Sequence, residues 1–264
     1  MENESEEFVP DVIIVDRWEC PAENGPAILT MPNVPKPTHT LAPRTILGSG
    51  TWTHMRKACY ANAGNRCEAC GRDLSKEENG KFIGHAHELY SIDYAKQEVY
   101  FERCVCLCGW PCHLGCIHTG RALTMYKHKN PLYTKEKLLE GAEYCFTIIS
   151  SFNREHPDRE PLRVFAAWLD YIKQPELEKP MIELIKKYDI KFYKVNEKKW
   201  YKPKYWSNWK LKVGSRWYPT PFADYADWRD KMEKINAEQK DDDRNYKSSF
   251  TGKVYDDLDK FLSE

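Results

Sequence analysis

Residues 104–120 read CVCLCGWPCHLGCIHTG, and residues 67–71 read CEACG. These two short stretches hold most of the chain's cysteines. With Cys59, eight of the ten lie between Cys59 and Cys116, and only Cys20 and Cys145 fall outside. His85, His87, His113 and His118 share that window. The N-terminus, MENESEEF, is acidic and lacks the apolar core of a secretory signal, so the expected location is a reducing cytoplasm. Cysteines at this density there read as metal ligands rather than disulfides.

Cys67-x2-Cys70 is a knuckle spacing, in which two thiolates on one tight turn reach a single tetrahedral ion. Such a half-site needs a second pair, and Cys104, Cys106, Cys108, Cys112 and Cys116 are the candidates. Cys108 with Cys112 is preferred, because it leaves His113 free just past the second ligand. Closure by four thiolates gives a structural zinc site that contributes folding energy. The plain alternative is a set of buried free thiols.

The histidines form a second layer. Residues 81–89 and 97–107 are rich in β-type residues and predict two strands. On the first, His85 and His87 face one side and Glu88 the other. His113 and His118 fall on a predicted helix over 112–126. Five residues on a regular helix turn through about 140° beyond a full circle. Both imidazoles therefore meet one ion only if the helix is distorted or gives way to a loop. A divalent ion so held stabilises phosphoryl charge while a nearby histidine activates water.

The surrounding chain suggests three parts. Residues 1–45 are proline-rich and read as an extended acidic arm. Residues 46–130 form the cysteine and histidine module, starting with a helix over 52–63 capped by Thr51 and stopped by Gly64. Residues 131–264 read as a mainly helical C-terminal domain. Helices are predicted over 134–153, 161–173, 175–188 and 222–239, with short strands in KFYKV and NWKLKV. Leu138, Leu139, Ala142, Phe146, Ile149, Val164, Phe165, Trp168 and Leu169 have the look of ordinary core. The fold class is α+β. With 41% hydrophobic residues, the chain has material for real cores, and it has no run of 18 apolar residues to span a membrane.

The run RKACYANAGNRCEACG, then AHELYSIDY, then CVCLCGWPCHLGCIHTG resembles an HNH (His-Me finger) endonuclease module of the phage type, over about residues 50–121. The C-terminal stretch WKLKVGSRWYPTPFADYADW resembles tail segments of such proteins more loosely. The resemblance implies a zinc-stapled ββα-metal fold and metal-dependent hydrolysis of DNA phosphodiesters, in a phage or prophage protein. By position, Cys67, Cys70, Cys108 and Cys112 match its zinc ligands. His87 falls where the family has its general base or first metal ligand, with Glu88 as acidic neighbour. If Glu88 aligns with the base, His87 becomes a ligand instead. Imidazole titrates near neutrality, which favours His87 as base. His113 and His118 match the later histidines, which hold the catalytic Mg2+ or similar divalent cation. The family's middle Asn would lie near Arg103, and no Asn is there. A zinc-stapled module that binds nucleic acid or a partner without cutting is the competing reading. A zinc deaminase fits less well, because its H-x-E and P-C-x2-C strings are both altered here.

Charge is balanced overall, with 40 basic and 40 acidic residues, so a wholesale polycation is excluded. It is also segregated. Residues 186–216 carry ten lysines and Arg216 against Asp189 and Glu197, while the N-terminus and the tail through Asp241-Asp242-Asp243 are acidic. The basic-aromatic strap 198–212, with Lys202 and Lys204, suits phosphates and stacked bases; a half-buried sheet with solvated lysines is its bland counterpart. Arg56, Lys57, Arg66 and Arg72 near the knuckle are further phosphate candidates. DNA is thus the expected partner, with a homodimer allowed, no membrane, and the arm's own protein partner unspecified.

Overall fold

The computed structural model describes residues 8–75 and 84–235, and it is an α+β fold built on two sheets. The centre is a long antiparallel hairpin of β3 (Gly84–Asp93) and β4 (Glu98–Cys108). Gln97 takes a left-handed φ of 57° in the turn between them. Its side-chain amide donates to the Tyr94 and Ala95 carbonyls, which fixes the reversal. Around the hairpin, β2 (Arg17–Trp18), β7 (Lys210–Val213) and β8 (Arg216–Pro219) complete a sheet of order β2-β3-β4-β7-β8. A register shift between Leu89 and Tyr90 marks a bulge, the kind of irregularity that re-aims side chains beside sites. Leu89, Val105 and Leu107 are fully buried in the hairpin.

The second sheet is small and wholly parallel. β6 (Phe192–Val195) lies between β1 (Val12–Val15) and β5 (Val164–Phe165). Parallel strands need long crossovers, and here they join residues from opposite ends of the chain, Val12 opposite Phe192. Among the described residues no helix is long and apolar enough to cross a membrane.

α1 (Pro43–Ile46) and α2 (Gly48–Asn62) precede the hairpin, and α2 packs against it. Gly64, at φ 57°, ends the second helix as expected, but Leu47 rather than Thr51 stands at its N-cap. α3 (Thr119–Lys127) follows the cysteine run. α4 (Lys135–Glu155) is the longest helix among the described residues. Its N-cap Thr134 accepts a hydrogen bond from the Lys137 amide at 3.3 Å, a contribution of about 1 kcal/mol. Leu138, Ala142, Cys145, Phe146 and Ile149 form its buried stripe at helical spacing. α5 (Pro175–Tyr188) lies against it and ends on Asp189 in the left-handed region, φ 48°.

Three expectations are corrected. The arm over 1–45 is not simply extended: its described part supplies β1, β2 and the start of α1, and buries Ile28 and Leu29. The division at 45 and 130 does not separate the sheets, because β4 pairs with β7 and β1 with β6. Residues 161–173 form β5 and a 3-10 turn (Ala166–Asp170) instead of a helix. There Val164 is drawn to the edge of β6, and Trp168 packs edge-on against Phe146 at 5.3 Å. The last helix spans 225–235 as far as it is described, and the acidic run at Asp241 lies outside the described residues.

Candidate metal centres

The cysteine run does not continue β4 directly into a regular helix. Gly109–Ile117 is a π-helical segment, interrupted near its start by Trp110 in an extended conformation (φ −128°, ψ 137°). The His118 amide donates to the His113 carbonyl at 3.1 Å, an i to i+5 bond. A π turn brings residues five apart onto one face. This removes the conflict in the His113-x4-His118 spacing, because the wider turn puts residues five apart on one face.

The wider turn is held from outside by Trp110. Its ring lies where a Cβ on Gly115 would come within 3.1 Å, and one on Gly141 of α4 within 3.3 Å. Any larger residue at either glycine would push the ring away. The indole Nε1 donates to Glu140 at 2.8 Å, and the Lys137 ammonium sits 4.4 Å above the ring. Glycine inside α4 costs about 1 kcal/mol of helix propensity, and the close approach explains its presence.

Cys67, Cys70, Cys108 and Cys112 come together with their sulfurs all within 4.8 Å of one another. The group is compatible with a metal site such as zinc. The knuckle is shaped by the Gly71 amide donating to the Cys67 carbonyl at 2.7 Å and by Gly71 at φ 73°. Glu68 ties it to β4: its carboxylate accepts from the Cys106 amide and from Arg103, each at 2.6 Å. Hydrogen bonds from Cys108 and then Cys112 pull the Cys67 thiol down to about 7, and Cys70 is lowered by the same neighbours. Thiolate character thus gathers on the knuckle, while Cys112 is pushed up by its bond to Cys108. Four apposed sulfurs sharing protons is the chemistry a divalent ion resolves, since it takes thiolates and releases their protons. Cys104 and Cys106 stay outside the quartet, near Cys59, and burial raises all three thiols to about 12. Cys116 packs beside Cys145, its Sγ directed to the Gly141 carbonyl.

The second group is His87, His113 and His118, with ring nitrogens also within 4.8 Å of one another. His87 comes from β3, His113 from the π segment, and His118 from the start of α3. Ring centroids lie 5.2 Å apart for His87 and His113, 5.1 Å for His87 and His118, and 4.6 Å for His113 and His118. Burial drives His87 down to about 3 and His118 to about 4, and pushes His113 well below its ordinary value. All three are neutral at pH 7, the form that ligates metal. His87 Nε2 and His113 Nδ1 are buried with no hydrogen-bond partner among the described residues. Orphaned buried nitrogens in a converging set are what a bound ion would satisfy. His85 stands beside the trio, its ring 4.9 Å from that of His113 and close against Gly109.

Other candidates fall elsewhere. Glu88 alternates to the opposite side of β3, among Cys104 and Tyr90, where burial raises its carboxyl. It therefore stands apart from the histidines it was expected to assist. With no carboxylate in the trio, the donor set is all imidazole, which suits zinc, nickel or copper better than Mg2+. Arg66 donates to the Gly71 carbonyl at 3.0 Å and Arg72 to the Trp110 carbonyl at 3.1 Å, so both brace the knuckle. Arg56 and Lys57 lie on α2, Lys57 exposed. Lys202 and Lys204 flank the start of a short helix (Pro203–Trp206), with the Lys204 ammonium over Tyr205 at 4.7 Å. The structure brings none of these cations into the trio.

The chain matches no protein-family model, no curated protein and no solved structure. Its fold and function therefore rest on the molecule's own geometry.

Proposed function

We propose that this protein is a metal-dependent DNA endonuclease of the HNH type, a zinc-stapled ββα-metal module embedded in a larger α+β fold and of phage or prophage origin. One observation carries the reading. A β-hairpin and the helical segment after it place three neutral histidines around one point, while four cysteines pin the same hairpin and segment together.

Three protein ligands leave a tetrahedral ion one open position, the arrangement of hydrolytic rather than structural sites. A divalent ion bound there would supply Lewis-acid stabilisation of the charge that develops on a phosphodiester. His87 is buried to 6% exposure at the convergence of the trio, which makes it a ligand in this reading instead of the expected base. His85 is the remaining imidazole within reach. Burial lowers its pKa, so it is neutral at pH 7 and able to take a proton from water. Glu88, on the other face, has no part in the chemistry.

The test is cleavage of supercoiled plasmid by the purified full chain with Zn2+, Ni2+, Mn2+ or Mg2+ added in turn. Metal-dependent nicking or linearisation is expected, lost in His113→Ala with zinc still bound at the cysteines. Cleavage that survives in His113→Ala would overturn the site.

One observation favours a second reading. Near the position where the family has its middle Asn stands Arg103, engaged with Glu68 and Asn24. A module that binds nucleic acid without cutting it would show DNA binding and no cleavage with any metal.

A further inference from the structure

His39 joins two distant parts of the chain. It lies ahead of α1, and its ring bonds on both sides. Nε2 is 3.1 Å from the Val34 carbonyl, and Nδ1 is 3.2 Å from the indole Nε1 of Trp228, on the last helix over 225–235. A carbonyl only accepts and an indole N–H only donates. The two partners therefore fix one state of the ring: Nε2 carries the proton, Nδ1 accepts, and the imidazole is neutral.

The contacts around His39 hold that helix against the arm. The Trp228 ring meets the imidazole edge-on at 5.6 Å. The Lys36 ammonium sits 5.4 Å from the ring centre of Trp228, 5.5 Å from that of Tyr225 and 5.6 Å from that of Tyr201. Tyr225 packs edge-on against the buried Trp206 at 6.0 Å. Just before the helix, the Thr220 hydroxyl donates to the Pro37 carbonyl at 2.6 Å.

A second proton on His39 works against this arrangement in two ways. It turns Nδ1 into a donor that faces the Trp228 N–H, so two donors meet with no acceptor between them. It also sets an imidazolium beside Lys36, which reaches the same indole. Lys36 is the cation of His39's own segment. On the helix side, Asp224 accepts from the Asp227 amide at 2.9 Å, and Asp227 accepts from the Ala223 amide at 2.8 Å and from Lys231 at 3.0 Å. These carboxylates are thus engaged within the helix's own start. The stretch around Tyr201 offers its hydroxyl, which accepts from the Lys36 amide at 3.2 Å, while Lys202 and Lys204 beside it are exposed. Burial, and then Lys36, outweigh the Val34 bond and hold the His39 pKa below the ordinary imidazole value.

We propose that His39 and Trp228 form a pH-sensitive latch: the neutral imidazole docks the helix over 225–235 on the arm, and protonation of His39 releases it. Release lifts Tyr225 from Trp206 and opens the aromatic cluster around Lys36. The latch acts above the free imidazole value of about 6.5 and is lost as pH falls below it. It does not depend on what the histidine trio binds.

The experiment is hydrogen exchange followed by mass spectrometry on the full chain, from pH 7.5 to pH 4.5, with protection corrected for the intrinsic rate at each pH. Protection over 225–235 is expected to fall on the order of tenfold across that range while α4 keeps its own. In His39→Asn, whose amide oxygen can accept from the indole but does not titrate, this pH dependence should vanish. Trp228→Phe should show the weakened protection already at pH 7.5, again without pH dependence. The His39 ring signals, followed by NMR, should titrate where the protection falls. A pH-dependent loss that persists in His39→Asn would overturn the latch, as would protection unchanged down to pH 4.5. A loss shared equally by α4 would be general unfolding and would count against it too.

Discussion

The cysteine quartet and the histidine trio share the hairpin and the segment after β4, and they differ in what they leave open. Each takes ligands from the β3–β4 region and from the segment that follows β4. The quartet uses four sulfurs, enough to close a tetrahedral shell, and it links the knuckle to the hairpin. The trio uses three nitrogens. An ion bound by the four sulfurs would have a closed shell, whereas one bound by the three nitrogens would keep an open position. The π turn makes the pair possible, because it carries Cys112 toward the quartet and His113 and His118 toward the trio.

The largest effect should come from breaking the quartet. Cys67→Ser is expected to release zinc and unfold the hairpin module, since structural zinc contributes about 10 kcal/mol or more to such folds. Near-ultraviolet circular dichroism and zinc release would report it, and a folded, zinc-loaded variant would count against the pinning role. Breaking the trio should do something different. His113→Ala is expected to keep zinc and fold while affinity for a second divalent ion drops roughly 100-fold, at the upper end of what even outer-shell changes cause. A titration followed by calorimetry checks this, and equal loss of both ions would erase the distinction.

Acid should sharpen the contrast from the histidine side. His87 is held at about 3 and His118 at about 4 in the folded chain, against about 6.5 for a free imidazole. The folded state thus binds fewer protons than the unfolded one between those values. Stability from this source is full above about pH 6.5 and falls as pH drops toward 3 to 4. Every pH unit that separates a folded imidazole from a free one corresponds to about 1.4 kcal/mol. Urea midpoints measured from pH 8 to pH 4, with no second metal added, should decline over that window. A midpoint that rises on acidification would show that the imidazoles are charged when folded. The smallest effect tests the support of the π turn. Gly115→Ala brings a methyl to 3.1 Å from the Trp110 ring, an overpacking expected to cost about 1–3 kcal/mol. A Tm equal to that of the unaltered protein would mean the ring moves aside freely.

What was legible in the sequence was local. The Cys67–Cys70 knuckle, the choice of Cys108 and Cys112, the hairpin and α4 all rest on residues close in sequence, and each is where it was expected. The non-local features were not legible. β1 and β2 gain their partners from residues far along the chain, such as Phe192 and Ile92, so a proline-rich arm gave no sign of them. The stretch over 161–173 has helix-forming residues, yet Val164 and Phe165 pair with β6. The need for a distorted turn between His113 and His118 was legible as a conflict in spacing, but not its resolution, which depends on Trp110 packing against Gly141.

The most direct measurement is the number of zinc equivalents per chain after equilibration with excess Zn2+ and gel filtration, for the unaltered protein and for His113→Ala. Two equivalents falling to one, with the remaining ion sensitive to Cys67→Ser, is the predicted result. One equivalent in both proteins would contradict an open metal site at the histidines.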